Sequence, residues 1–372
     1  MKTRKLTIVA DENIPALTAL LGDVADIHAV AGRRMTAADV AHADALLVRS
    51  VTRVDAALLQ GSAVRFVGSC TIGTDHVDLA WLAENTIAFA NAPGCNADAV
   101  VDYVIAGLFH YRDDLAFWQS RCVGIVGLGE VGGRLACRLA QMGIAYCAYD
   151  PFKAAATHSF EQVLACDAIS LHVPLTSTGT FPTRHLFSAD VLQALRPDTL
   201  LINSSRGPVI DNTALLRQLE NTAQPVILDV YEDEPAPSLA LLDQLLLATA
   251  HIAGYSVQGK VRGSVMVVAA LYQRFAIAQP LPDLLASLHV ERALPDVTTL
   301  AQALQSGYDI AADAAAFRAI YEKAQGVAAQ SLAFDQYRKN YPVRNEWGFQ
   351  QLYLATRLRG EAEQAGFSTR EL

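Results

Sequence analysis

Residues 123–150, VGIVGLGEVGGRLACRLAQMGIAYCAYD, leave this chain little choice of fold. An apolar run reads as a buried strand, Gly127, Gly129 and Gly132 follow in the G-x-G-x-x-G spacing, a helical stretch opens on them, and a second strand closes on Asp150. The first glycine permits a tight turn, the second lets backbone approach a pyrophosphate, and the third lets helix pack on strand. The exposed N–H groups of the helix start, those of Glu130 and Val131 among them, then face the anion. Asp150 falls where a carboxylate accepts the ribose hydroxyls and repels the 2′-phosphate of NADP, so NAD is the expected cofactor. The glycines alone would be weak evidence, because a turn packing helix on strand beside a surface Asp150 gives the same spacing. The whole strand–turn–helix–strand–acid series favours the dinucleotide. Glu130 is an oddity beside a pyrophosphate unless it points to water.

This unit has α/β neighbours on both sides. Before it, LTIVA, DIHAV, ALLVRS, RFVGSC and IAFANAP alternate with helical stretches, and a helix from Ala97 to about Phe117 connects the two sets. After it come AISLHVP, TLLINSS and PVILDVY, then a helical segment from His251 to about Ala278 that returns to the first set. Beyond PLPDLL the glycines thin out and long polar side chains increase. The expected fold class is α/β: two Rossmann-like, doubly wound parallel-sheet domains plus a smaller C-terminal α+β domain. The expected boundaries are 1–95 for a substrate domain completed by 255–280, 96–254 for the NAD-binding domain, and 281–372 for the C-terminal domain.

Composition excludes other classes. A formal net charge of −9 argues against nucleic acid or an anionic membrane as the partner, so an anionic substrate must be held by local cations or helix N-termini. The stretch VMVVAALY ends at Gln273, well short of a membrane span, and the N-terminal MKTRKLTIVADENIP does not read as a signal peptide. The 6 cysteines include no C-x-x-C pair, so neither a metal site nor a disulfide framework is indicated, and free thiols in a reducing cytoplasm are expected.

Charged residues stand at three successive strand ends. Arg206 follows TLLINSS, Asp229 closes PVILD with Glu234 soon after, and His251 follows LLLATA. In doubly wound sheets ligands bind beyond the carboxyl ends of the strands, so these residues can converge on the reacting part of the cofactor. Taken singly, Arg206 could be a strand-end salt bridge to Glu232 or Glu234, and His251 a satisfied core histidine. His76, His172 and His185 lack the convergence.

With these residues in place, the chain resembles the D-2-hydroxyacid dehydrogenase family. The resemblance rests on VRSVTRV, GTDHVDLAWL, APGCNADAVVDYV, the glycine loop, NSSRGPVIDNTALL, LDVYEDEP, HIAGYSVQGKVRG and FDQYRKNYPVRNEW, and covers nearly the whole chain. It implies NAD-dependent oxidation of a small phosphorylated 2-hydroxy acid to its 2-oxo acid, on the route to pyridoxal 5′-phosphate. The family's catalytic arginine, glutamate and histidine fall on Arg206, Glu234 and His251. A histidine poised near neutral pH serves as base, a carboxylate orients it, and a guanidinium fork holds the substrate carboxylate. By the same resemblance Ser50, Thr71 and Tyr255 contact substrate, while Val173, Ser204, Ser205, Asp229 and Gly254 join Arg206 around the nicotinamide half of the cofactor.

The family usually lacks the C-terminal domain, which by resemblance forms a homodimer. For the substrate phosphate the core offers Arg49, Arg53, Lys260 and Arg262, and the C-terminal domain adds Arg338, Lys339 and Arg344. Arg49 from one chain and Arg344 from its partner are the expected ligands, with pairing of Arg344 to Glu346 or another rim carboxylate as the equal alternative. Tyr231 stands where close relatives usually have tryptophan, and Cys70-Thr71-Ile72 replaces a run of small residues. The competing functions are a glycerate or phosphoglycerate dehydrogenase and an NAD-sensing corepressor; the intact Arg–Glu–His set favours catalysis.

Overall fold

A computed structural model describes residues 4–372, which divide into two compact units. The first comprises the chain up to Asn96 together with Ser256–His289. Its parallel strands are β1 (Leu6–Asp11), β2 (Ala25–Val30), β3 (Ala45–Val48), β4 (Phe66–Ser69) and β5 (Ala88–Ala90), in the order β2-β1-β3-β4-β5. Alternate residues serve opposite faces. Ile8, Ala10 and Leu47 enter one core with Val267, Val268 and Leu271, whereas Val9, Leu46 and Val48 enter another with Val40, Leu58 and Leu82. A parallel sheet covered on both faces needs such near-continuous apolar strands.

The helix Val257–Arg274 covers one of those faces, and a Cβ at Gly68 would lie 2.3 Å from Val267 Cγ1. The helix is shorter than expected at its start because His251–Tyr255 is a turn, ended by Ser256, whose hydroxyl caps the Gly259 N–H at 2.9 Å.

The second unit comprises Ala97–Tyr255 and Val290–Leu372. Its main sheet contains β6 (Cys122–Val126), β7 (Ala145–Tyr149), β8 (Ala168–Leu171), β9 (Leu200–Asn203), β10 (Val226–Leu228) and β11 (Leu247–Ala248). All pairs are parallel and the order is β11-β10-β9-β8-β6-β7. The order reverses between β6 and β8, the switch point where such sheets take ligands. The helix Ala97–Tyr111 buries residues all round and runs through this unit's core. It stops before Arg112-Asp113-Asp114, and Asp114 caps a separate helix, Leu115–Gln119, where one continuous helix was expected.

The C-terminal segment adds a parallel sheet of β12 (Val290–Ala293), β13 (Gln350–Leu354) and β14 (Ser368–Glu371), with β13 central. Its side chains join the same core, where Phe317, Phe334 and Trp347 are fully buried. The Trp347 N–H donates to buried Asp102 Oδ2 at 2.9 Å, and burial pushes that carboxyl up to about 7. Among the described residues no helix is long and apolar enough to cross a membrane.

Candidate active site

Each glycine of the loop has its own physical reason. Gly127 has φ +93°, and a Cβ there would lie 2.6 Å from the His172 carbonyl, where the loops after β6 and β8 cross. A Cβ at Gly132 would lie 1.9 Å from the Gly127 oxygen, so only glycine lets the helix Glu130–Gln141 start so close to its strand. At Gly129 a Cβ would meet nothing within 4 Å. That position is free of packing constraint and opens a cradle at the helix N-terminus, as close approach of a pyrophosphate requires.

Asp150 directly follows β7 and fixes the loop: Oδ2 accepts from the Leu128 N–H at 2.8 Å and Oδ1 from the Phe152 N–H at 2.9 Å. Glu130 is 56% exposed, with Oε2 3.4 Å from Arg134 on the next helical turn, which removes the conflict its charge raised. Val131 packs on the core, and Val173 Cγ1 lies 2.9 Å from where a Gly127 Cβ would stand. The buried Ser204 hydroxyl, beyond β9, has no hydrogen-bond partner within the protein and is open to a ligand's polar atom. Open backbone at Gly129, the Asp150 carboxylate beside it and this hydroxyl together fit a dinucleotide.

The loop after β9 is organised by Asn203, which is fully buried. Its Oδ1 accepts from the Ser205 N–H (3.0 Å) and hydroxyl (2.8 Å), and its Nδ2 donates to the Arg206 carbonyl at 2.9 Å. Arg206 Nη1 donates to the Ser205 carbonyl at 2.8 Å. At Gly207 a Cβ would lie 2.0 Å from the Tyr231 carbonyl, so this glycine brings the loop after β9 against the loop after β10.

Glu234 and His251 meet directly, His251 Nδ1 lying 2.8 Å from Glu234 Oε2, while Glu234 Oε1 accepts from the Tyr231 N–H at 2.9 Å. Burial acts to raise the Glu234 carboxyl, but the charge and hydrogen bond of His251, the Tyr231 N–H and the charge of Arg338 together hold it below its ordinary value. His251 is 36% exposed on its side chain, so the ring remains reachable, and its backbone has φ +56°. A non-glycine residue held there is uncommon and needs a surrounding structure that fixes it.

That fixing comes from Asp229, at 1% exposure. Its Oδ1 accepts from the Thr249 hydroxyl (2.6 Å) and the Ile252 N–H (2.8 Å), its Oδ2 accepts from the Ala253 N–H (2.9 Å), and its carbonyl accepts from the His251 N–H (2.7 Å). Thr249 is in turn bonded to Tyr103 Oη at 2.8 Å. Gly254 follows in the same turn, and Tyr255 packs edge-on against Tyr341 with the Arg338 guanidinium 5.5 Å from its ring centre. Tyr231 donates its hydroxyl toward the carbonyls of Leu228 (3.0 Å) and Thr249 (2.9 Å), a bridge between β10 and the turn that precedes His251.

The other histidines are accounted for locally. His172 is pushed down to about 3 by burial and pairs with Ser170 at 2.9 Å. His185 lies 2.7 Å from Glu232, whose second oxygen accepts the Asn212 N–H at 2.8 Å, so Glu232 is already engaged. In the first unit Arg49 and Ser50 follow β3, and Thr71 follows β4 with its hydroxyl 2.9 Å from Ser69, which also meets His76 at 3.1 Å. Arg53 pairs with Asp55 at 2.7 Å, and Arg262 donates to the Cys95 carbonyl. Lys260 is pushed down to about 8 by burial and the nearby charge of Arg49.

Arg344, expected either at a partner's phosphate or beside a rim carboxylate, lies inside its own unit. It is 6% exposed, donates to the carbonyls of Ala253 (3.1 Å), Ile252 (3.5 Å) and Ala99, and sits with its guanidinium carbon 3.6 Å from the Tyr308 ring centre. A guanidinium enclosed in this way has its donors engaged within its own chain. It ties the C-terminal segment to the turn that carries His251. Asn203, Tyr103 and Thr249 escaped the sequence reading because a polar residue in a strand or helix announces its partner only after folding.

Residues 111–253 match the family model for the D-isomer specific 2-hydroxyacid dehydrogenase, NAD binding domain, and residues 283–365 match a domain of unknown function (DUF3410). The chain is 45% identical over 366 residues to an erythronate-4-phosphate dehydrogenase of Cellvibrio japonicus, covering 94% of this chain and 95% of the relative. It is 43% identical over 355 residues to that of Acinetobacter baumannii, covering 92% and 98%. Among solved structures, NAD+-bound 3-phosphoglycerate dehydrogenase of Entamoeba histolytica is similar in fold (TM-score 0.64, 20% identity, 74% of this chain and 97% of that one). So is the NADPH-dependent glyoxylate/hydroxypyruvate reductase of Sinorhizobium meliloti (TM-score 0.62, 25% identity, 75% and 96%). The chain belongs to the erythronate-4-phosphate dehydrogenase branch of the D-isomer specific 2-hydroxyacid dehydrogenase family and is an NAD-dependent oxidoreductase.

Proposed function

We propose that the chain oxidises 4-phospho-D-erythronate to (R)-3-hydroxy-2-oxo-4-phosphooxybutanoate with NAD, a step of pyridoxal 5′-phosphate synthesis. The Glu234–His251 pair at 2.8 Å carries this reading, since an imidazole oriented through Nδ1 leaves Nε2 to take the hydroxyl proton. The bound nicotinamide supplies the hydride acceptor. Arg206 holds the substrate carboxylate and the C2 oxygen, with Tyr255, Ser50 and Thr71 as further substrate residues. Gly127, Gly129, Gly132, Glu130, Val131 and Asp150 hold the adenosine and pyrophosphate part, and Val173, Ser204, Ser205, Asp229 and Gly254 line the nicotinamide part.

For the substrate phosphate we assign Arg49 with Lys260 as its neighbour. Two adjacent cations, one depressed to about 8, gain most when a dianion sits beside them. The chain acts as a homodimer through its C-terminal domain, without nucleic acid, and its six free cysteines suit a reducing cytoplasm.

The test follows NADH formation with 4-phospho-D-erythronate, 3-phosphoglycerate, D-glycerate and unphosphorylated erythronate. Preference for 4-phospho-D-erythronate supports the proposal. Equal or better turnover of 3-phosphoglycerate or glycerate, or no turnover at all, overturns it.

A further inference from the structure

Cysteines widely separated in sequence meet at one end of the second unit's sheet. Cys122 opens β6, Cys147 lies within the edge strand β7, and Cys166 precedes β8. Their sulfurs lie 3.5 Å (Cys122–Cys147) and 3.3 Å (Cys122–Cys166) apart, and all three fall within 4.8 Å of one another. Cys166 is buried, while Cys122 and Cys147 are partly open to solvent. The catalytic reading uses none of them.

We propose that Cys122, Cys147 and Cys166 form a three-thiolate site for a thiophilic d10 metal ion, Zn2+ or Cu+. Metal–sulfur bonds of about 2.3 Å require sulfurs about 3.8–4.0 Å apart, so the two short contacts must open by about 0.3–0.7 Å, a change that side-chain rotation about Cα–Cβ supplies. Sulfur is the ligand type that selects these ions. The partly exposed side leaves room for water as a fourth ligand on zinc, while trigonal copper needs none. Binding forms up to three metal–sulfur bonds and releases the thiol protons to solvent. Neighbouring cations do not oppose it, because Asp167 is 2.8 Å from Arg196 and 3.8 Å from Arg121.

The cluster sits at the amino end of β6 and the glycine loop at the carboxyl end, about 13 Å apart at roughly 3.3 Å per residue. The metal would therefore pin the edge strand β7 to β6 and the start of β8 and take no part in hydride transfer.

The test uses the full-length protein, fully reduced and anaerobic. Zn2+ is titrated against a chromogenic chelator, Cu+ against a copper(I) chelator, and Co2+ serves as an optical probe of thiolate ligation. The expected result is one equivalent bound, a cobalt–thiolate absorption band and a higher Tm, all kept in Cys137→Ser and lost in Cys166→Ser. Cys147→Ser, on the half-buried edge strand, provides the same comparison if Cys166→Ser fails to fold. The preferred ion between Zn2+ and Cu+ is the one that survives the stronger competitor. Retention of the metal in the folded Ser variants, or no binding to the wild type, overturns the proposal.

Discussion

Glu234 and His251 are joined by a 2.8 Å contact between Oε2 and Nδ1, although they come from different loops at the ends of adjacent strands. Two supports make that contact possible: the Tyr231 N–H on the other Glu234 oxygen, and Asp229, which holds the backbone around His251 at φ +56°. A pair fixed from both sides loses little orientational freedom when substrate arrives.

His251→Ala should lower kcat by about 100-fold to 10,000-fold, the usual contribution of a positioned base, while NAD affinity stays within a few-fold. Glu234→Gln should keep a hydrogen bond but lose the charge, and so change the pH–rate profile and lower kcat. Steady-state kinetics across pH, with NAD binding by fluorescence, checks both. A fully active His251→Ala enzyme would remove the assignment.

The Glu234 carboxyl is held below its ordinary value in the folded protein, so the unfolded chain binds more protons in that range. The pair's contribution to stability is complete above the unfolded glutamate value of about 4.3 and fades as pH falls through the lower folded value. Denaturant midpoints measured from pH 6 down to 3 should therefore fall more steeply in the wild type than in Glu234→Gln. Parallel curves would contradict this.

Asp229→Ala should be severely destabilising. It leaves the Thr249 hydroxyl and the Ile252 and Ala253 N–H groups without their buried acceptor, at about 1–3 kcal/mol for each group left unsatisfied. The turn holding His251 should loosen, so kcat should fall together with Tm. Thermal unfolding and kinetics on the same preparation test this, and a normal Tm with normal turnover would show the turn is held otherwise.

Asp150→Ala should weaken NAD by about tenfold and narrow the preference over NADP, since the carboxylate accepts ribose hydrogen bonds and repels the 2′-phosphate. Part of the loss should appear even with NADP, because Asp150 also holds the Leu128 N–H. Dissociation constants for both cofactors decide it. An unchanged NAD-to-NADP ratio would refute the role.

Arg344→Ala should reduce stability, at about 1–3 kcal/mol for each buried carbonyl left without its donor. Because the residue secures the carbonyls of Ile252 and Ala253, kcat/KM should drop equally for phosphorylated and unphosphorylated substrates. A loss confined to the phosphorylated acid would instead support a cross-subunit phosphate contact.

The glycine loop was legible because its constraints are local. A turn at φ +93°, a helix start where a Cβ would lie 1.9 Å from a carbonyl oxygen, and an acid one strand later are fixed by residues close in the chain, and they imply the parallel sheet around them. The alternation of apolar runs gave both sheets for the same reason, as did the positions of Arg206, Glu234 and His251 at strand ends. What the chain could not state is which distant groups meet. Arg344 reads in FDQYRKNYPVRNEW as a ligand for a phosphate or a rim carboxylate, yet the fold encloses it against Tyr308 and the carbonyls of Ala99 and Ala253, more than 90 residues away for the latter two. Cys122, Cys147 and Cys166 have no metal-site spacing, yet the parallel register brings their sulfurs together. Local backbone geometry is a property of neighbouring residues, and the partner of a buried charge or thiol is chosen only when the elements pack.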